Sequence, residues 1–244
     1  MGFSSNKTET PFVFICSRCK CISDTLAQQS QRARTFSRLL ERVMGAGAIT
    51  HRAISLYTVR MDVYDFDGTL YMGDSTRDFV LWCARRYPRV LLTLPRTGVA
   101  AIACFGAHAI DKTRFKGVLY RFLHVVPDIE QEVELFWQAH EARITGPCNA
   151  KPGDLVISAS PEFLLRDVCA RRGLALIASK VDPRTGRSLG RNCSNEEKVV
   201  RFREAYPDAE IDAFYSDSHN DDPLASMAKR AFLVKDRALY PWPQ

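Results

Sequence analysis

No stretch of this 244-residue chain reads as a membrane span or as a secretory signal peptide. A span needs about 20 consecutive apolar residues. The run from Pro11 to Cys16 is far shorter, and no basic region stands ahead of a long apolar core. The longer candidate, Val90 to Ile110, is interrupted by Pro95, Arg96, Thr97 and His108, a poor composition for crossing a bilayer. Histidine is scarce. His51, His108, His124 and His140 have no ligand spacing and read as structural, and His219 reads as a solvent-facing loop residue. The eight cysteines supply no second cluster to complete Cys16-x-x-Cys19-x-Cys21, which argues against a zinc framework. Scattered, reduced thiols in a cytoplasmic protein are the simpler reading. A basic excess is also missing where chemistry would sit. The net charge of +6 comes wholly from residues 1 to 60, with nine Lys/Arg against three Asp/Glu, while residues 61 to 244 hold 25 of each. That balance gives no argument for a nucleic-acid partner.

What is present is a substantial apolar content, 46% of residues, and one acidic segment that stands out from it. Met61-Asp62-Val63-Tyr64-Asp65-Phe66-Asp67-Gly68-Thr69-Leu70 places two carboxylates two residues apart at the exit of an apolar strand. An aspartate attacks phosphorus only when a cation offsets the repulsion between two anions, and a second carboxylate must then protonate the leaving oxygen. Asp65 and Asp67 have the chemistry for both roles. Gly68 allows a turn sharp enough to face backbone N–H groups toward a phosphate, and Thr69 adds a hydroxyl. Taken alone, the same residues also describe an ordinary capped turn.

Three later segments bear on that ambiguity. Gly153-Asp154-Leu155-Val156-Ile157-Ser158-Ala159-Ser160-Pro161 reads as a turn, a buried strand and a hydroxyl, Ser158, at the strand end. Asn192-Cys193-Ser194-Asn195-Glu196-Glu197-Lys198 reads as a helix start, with Asn195 as N-cap. Lys198 then falls in the first turn, against the helix dipole, so it is wanted for its charge. Ile211 to Pro223 reads as a strand ending in an acidic loop, where Asp217 and Asp221 offer hard oxygen ligands suited to Mg²⁺.

The order Asp-x-Asp-Gly-Thr, strand-end Ser, Lys, then Ser-Asp-x-x-Asn-Asp resembles the haloacid dehalogenase superfamily, and its layout is similar to the phosphoserine-phosphatase-like branch. The resemblance covers residues 61 to about 240. It implies that Asp65 forms a phosphoaspartyl intermediate and that Asp67 protonates the leaving group and then activates water. It further implies Mg²⁺ held by Asp65, Asp217 and the Asp67 carbonyl, with Asp221 orienting a metal-bound water or Lys198. Ser158 and Lys198, with Gly68 and Thr69, would bind the phosphoryl oxygens, and Asn220 would support the loop. A small phosphomonoester is the implied substrate, with transfer to an acceptor other than water as the alternative outcome.

The expected fold is α/β: a Rossmann-like parallel sheet with helices on both faces, plus an inserted helical cap. Residues 61–74 and 150–244 form the expected catalytic core and 75–149 the cap. Core strands are expected near Leu155, Leu174, Ile211 and Phe232, with helices over 161–172, 195–205 and 223–229; Asp182 to Arg187 reads as a turn. In the cap, Asp74 or Ser75 starts a helix running to Tyr87, and further helices are expected over 98–110, 111–126 and 128–144. Residues 1–60 read as an upstream segment ahead of a true start at Met61, as a basic arm, or as an organelle-targeting peptide.

Two features bear on substrate. Phosphoserine phosphatases of the branch carry Ser-Gly-Gly-Phe at the second motif, whereas this chain has Ser158-Ala159-Ser160-Pro161, closer to relatives that act on phosphatidylglycerophosphate. Asp74 stands where those phosphatases use a glutamate toward the substrate amine, which argues against strict phosphoserine specificity. The apolar stretch Val90 to Ile110 reads as two short buried cap helices. Its sharper alternative is an interfacial hairpin carrying the active site to lipid, with Arg85, Arg86, Arg89, Arg96 and Arg114 facing anionic headgroups.

Overall fold

A computed structural model describes residues 60–110 and 112–243. The expectations for residues 1–59 lie outside the described residues.

Six strands form one sheet in the order β3-β2-β1-β4-β5-β6. They are β1 (Arg60–Tyr64), β2 (Leu155–Pro161), β3 (Ala175–Ser179), β4 (Glu210–Ser216), β5 (Ala228–Lys235) and β6 (Ala238–Pro241). All neighbours pair in parallel except β5 with β6. Side chains alternate across the central strands, which is why both β1 and β2 are apolar on each face. Val63, Leu155 and Ile157 enter one cluster with Phe202, Ile211 and Phe214, while Tyr64 and Val156 enter another on the opposite face. Chain order reverses at β1: β2 and β3 lie on one side of it, β4 and β5 on the other. The carboxyl end of β1 therefore opens into the crevice where ligands bind in sheets of this kind.

The insertion between β1 and β2 is helical. It comprises α1 (Ser75–Arg86), α2 (Leu94–Ala101), α3 (Lys112–Leu119) and α4 (Ile129–His140). Asp74 caps α1 by accepting from the Arg77 N–H at 2.8 Å, and Asp128 caps α4 by accepting from Gln131 at 3.0 Å. Its apolar face does not stand apart from the sheet. Phe79, Phe122, Phe136 and Trp137 share one cluster with Tyr64, Phe66, Leu164 and Val168. Trp137 also donates its indole N–H to the Leu164 carbonyl at 2.6 Å. Beyond the cap follow α5 (Glu162–Arg171), α6 (Glu196–Ala205) and the single turn α7 (Asp222–Ala225).

The structure departs from expectation at five points. The helix expected from Gly98 starts at Leu94, because Pro95 falls in its first turn, where a missing N–H costs nothing. It then tightens into a π-helical turn, Ile102–Gly106. This stretch is buried on one side only: Val90, Ala100 and Cys104 are buried, whereas Leu92 is 78% exposed, Val99 69%, Ile102 70% and Phe105 57%. The helix expected over 223–229 ends at Ala225, since Ala228 already pairs with Ile211 and the chain continues as β5. Asn195 does not cap α6 with its side chain; its backbone sits at φ 54° and ψ −132°, outside the left-handed helical well that asparagine tolerates. Strand β6 was not expected at all. It follows a turn at Asp236 and Arg237, both with positive φ, that lacks the Asn-Gly signature of such hairpins.

Candidate active site

Asp65 follows β1 directly, and its N–H still bonds to the Tyr215 carbonyl of β4 at 2.8 Å. The next residue turns inward: Phe66 is buried against Tyr71 and Trp137 and anchors the loop. Its carbonyl accepts from the N–H groups of Leu70 and Tyr71 at 3.0 and 2.9 Å. Gly68 occupies φ +73°, and a Cβ there would overlap the Asp217 carboxylate. Glycine is thus required twice, for the turn and for the approach of β4's loop.

Lys198 is almost fully buried, 2% exposed, in the first turn of α6. Its ammonium donates to Asp65 at 2.8 Å and to Asp221 at 2.7 Å, and Asp221 also accepts from the Ser216 hydroxyl at 2.8 Å. Burial disfavours a charged ammonium, yet the Asp65 and Asp221 carboxylates hold the Lys198 pKa above that of an ordinary lysine. Two of its three protons are engaged, leaving one for an anionic ligand.

Asp67 sits in a different environment. The Ser160 hydroxyl donates to one of its oxygens at 2.5 Å and the Ser75 N–H to the other at 2.6 Å. Burial raises its pKa to about 7, with the Ser160 and Ser75 donors opposing the rise and Asp74 adding to it. Ser160 is in turn bonded to Thr76 at 2.9 Å and to Ser75 at 3.3 Å. A register shift in β2 between Ser158 and Pro161 accompanies the turn of Ser160 toward Asp67. Ser158 is buried and its hydroxyl accepts from the Ser160 N–H at 3.1 Å, so its own proton remains to be donated.

The remaining expected residues fall into place around this pair. Thr69 is fully buried, and its hydroxyl has no partner among the described residues. Asp217 lies over Gly68 at the open rim of the site, where partial desolvation of its carboxyl, and then repulsion from Asp65, raise its pKa to about 6. Asn220 lies exposed on the one-turn helix His219–Asp221, with its N–H on the Ser218 hydroxyl. Asp74 is exposed at the start of α1 with one oxygen committed to the helix cap. His219 faces outward against Asp222 and Trp242.

Several neighbours had no motif to mark them. Lys116 reaches from α3 of the cap to the Ala159 carbonyl at 2.5 Å and the Asn192 side-chain oxygen at 2.7 Å. Burial lowers its pKa to about 8, with the charges of Asp67, Asp74 and Asp65 opposing. Ser179 bonds both the Ala159 carbonyl and Asn192, tying the same corner. Tyr120 is buried, with burial raising its phenol, and the charges of Asp74 and Asp67 reach it. Only Ser160 carried a sequence signal, as a hydroxyl in the second motif where the phosphoserine phosphatases have glycine.

Among the described residues no three His, Cys, Asp or Glu side chains gather as a metal cage. The Asp65 and Asp217 carboxylates and the Asp67 carbonyl make an all-oxygen set, which suits a hard dication that keeps water and phosphate oxygens in its remaining positions. Burial raises the pKa of both carboxylates, and a bound dication would offset that penalty on their ionised forms. These residues fit Mg²⁺.

Residues 63–226 match the family model described as haloacid dehalogenase-like hydrolase. The curated relative Protein CicA of Caulobacter vibrioides (strain NA1000 / CB15N) is 31% identical over 188 residues, 68% of this chain and 81% of that protein. Among solved structures, a protein of unknown function from Bordetella pertussis Tohama I aligns at TM-score 0.56 and 23% identity, covering 72% of this chain and 89% of that one. A probable phosphoserine phosphatase from Vibrio cholerae aligns at TM-score 0.51 and 12% identity, covering 71% and 55%. The two structures speak to the fold alone.

Proposed function

Because the chain belongs to the haloacid dehalogenase-like hydrolase family, we propose that it hydrolyses small phosphomonoesters, with Mg²⁺ as cofactor, through a phosphoaspartyl intermediate on Asp65. The observation that carries this reading is the division of labour between two carboxylates on one turn. Asp65 is ion-paired to a buried lysine, whereas Asp67 is held by hydroxyl and backbone donors with a pKa of about 7. A carboxylate ion-paired to a lysine suits the nucleophile, and one held by neutral donors with a pKa near the working pH suits the acid/base.

In the first step a carboxylate oxygen of Asp65 bonds to phosphorus as the bond to the leaving oxygen breaks, and Asp67 gives its proton to that oxygen. In the second, ionised Asp67 takes a proton from water as the water oxygen attacks phosphorus, releasing phosphate and restoring Asp65. The free proton of Lys198 and the hydroxyl of Ser158 hold the phosphoryl oxygens. Bound between Asp65, Asp217 and the Asp67 carbonyl, Mg²⁺ would supply the positive charge that lets two anions approach. The substrate is not restricted to phosphoserine: Asp74 is committed to a helix cap, and Ser160 occupies a place where glycine N–H groups would otherwise approach the substrate.

Purified protein assayed against a panel of phosphomonoesters tests the proposal. Asp65→Asn is expected to abolish turnover and phosphoenzyme trapping while keeping the fold, and EDTA is expected to abolish activity until Mg²⁺ is restored. Near-normal turnover by Asp65→Asn would overturn the assignment, as would full activity after rigorous metal removal.

A further inference from the structure

The cap carries a surface that catalysis does not use. Between Phe79 and Ile110 there is no Asp or Glu, and from Phe79 to Pro127 eight Lys/Arg face one acid, Asp111. The same stretch holds six of the large exposed hydrophobic side chains: Leu81 in α1, Leu91 and Leu92 before α2, Val99 within it, and Ile102 and Phe105 in the π-helical turn. Val99, Ile102 and Phe105 recur every three residues, a spacing that keeps side chains on neighbouring positions of a helix surface. Phe105 is fixed there by an edge-on contact with Phe115, ring centroids 5.2 Å apart. Leu92 also borders a cleft of about 570 Å³ whose lining includes Arg89, Arg96, Arg121 and His124. Arg85, Arg89, Arg96 and Arg121 are exposed, and none pairs with a carboxylate among the described residues.

The geometry points to this face as a docking surface for an anionic lipid bilayer. Charge selects the occupant. A second copy of the chain would bring an equally basic face against this one, whereas anionic headgroups complement the arginines and the acyl boundary takes the apolar side chains. Length selects the mode. Leu94 to Gly106 is 13 residues of continuous helix, about 20 Å at 1.5 Å per residue, against a hydrocarbon core of about 30 Å. Among the described residues no helix is long and apolar enough to cross a membrane. The segment lies on the bilayer, with its apolar side chains in the interface and the cleft arginines at headgroup level.

Flotation of the full chain with phosphatidylcholine vesicles, with and without phosphatidylglycerol, tests this inference independently of the reaction. Binding is expected only to the anionic vesicles and is expected to weaken as salt rises. Two variants separate the contributions: Val99→Ser/Ile102→Ser/Phe105→Ser removes the apolar stripe, and Arg89→Gln/Arg96→Gln/Arg121→Gln removes the charge. Each is expected to lower vesicle partition by about tenfold or more while leaving the melting temperature and far-ultraviolet circular dichroism unchanged. Absence of binding by the unmodified protein would overturn the inference. So would equal binding to neutral vesicles, or full retention of binding by both variants, which would place it in the basic residues 1 to 60. A concentration-dependent dimer in sedimentation equilibrium, lost in the first variant, would assign the face to self-association instead.

Discussion

Asp67 must protonate a leaving group and then accept a proton from water, so its pKa has to lie close to the working pH. Burial alone would carry it too high. The Ser160 hydroxyl stabilises the ionised form at 2.5 Å and brings the carboxyl back to about 7. Removing that donor in Ser160→Ala shifts the pKa further upward. The acid step then keeps its protonated donor to higher pH, so the alkaline limb of phosphoenzyme formation moves up by about one pH unit. The base step suffers the opposite fate. With less ionised Asp67 at neutral pH, phosphoenzyme hydrolysis slows by roughly tenfold. Ser160→Thr is expected to restore both, and single-turnover rates measured from pH 5 to 9 would read them separately. An alkaline limb that stays in place in Ser160→Ala would remove Ser160 from the acid/base chemistry. Asp67→Asn removes the proton itself, slowing alkyl phosphates by about 10²–10⁴-fold and p-nitrophenyl phosphate less, because that leaving group departs unprotonated.

At the scale of elements, the edge hairpin is where local strain is most visible. Asp236 and Arg237 both adopt positive φ, 51° and 63°, to turn β5 into β6. For arginine that conformation costs about 1 kcal/mol or more, and glycine adopts it freely. Arg237→Gly is therefore expected to stabilise the protein by about 0.5–1 kcal/mol, read as a higher urea midpoint with an unchanged slope. The same turn shows what the sequence conceals. Strands β1, β2, β3 and β4 are legible because burial on both faces makes them apolar runs. Strand β6 is short and exposed, and a turn built from Asp-Arg carries no hairpin signature. The site divides in the same way. Asp65, Asp67, Ser158, Lys198, Asp217 and Asp221 each lie where a strand ends or a helix begins, so spacing alone draws attention to them. Lys116 and Thr76 approach the catalytic corner from cap helices, Thr76 meeting Ser160 across 84 residues of chain, and nothing local marks such a contact. The cap surface misled for a physical reason as well. An apolar run is equally compatible with a buried helix and with one whose partner is not part of the chain.

For the whole molecule, the decisive feature is that cap and sheet share their apolar interior. Phe66 of the catalytic loop meets Trp137 edge-on, Trp137 meets Phe136 at 4.9 Å, and Phe136 meets Phe79 of α1 at 5.4 Å. Trp137→Ala would break this chain of rings at its centre and is expected to cost about 3–5 kcal/mol, seen as a fall in the melting temperature of the entire catalytic unit. Two independent modules would give a calorimetric trace with two transitions. Rings running from cap to loop without a gap instead make unfolding cooperative, so that calorimetric and van't Hoff enthalpies agree. Thermal inactivation should then coincide with the loss of structure, because the loop bearing Asp65 and Asp67 has no separate way to melt. Amide exchange in α1 and in that loop should likewise report the same opening free energy.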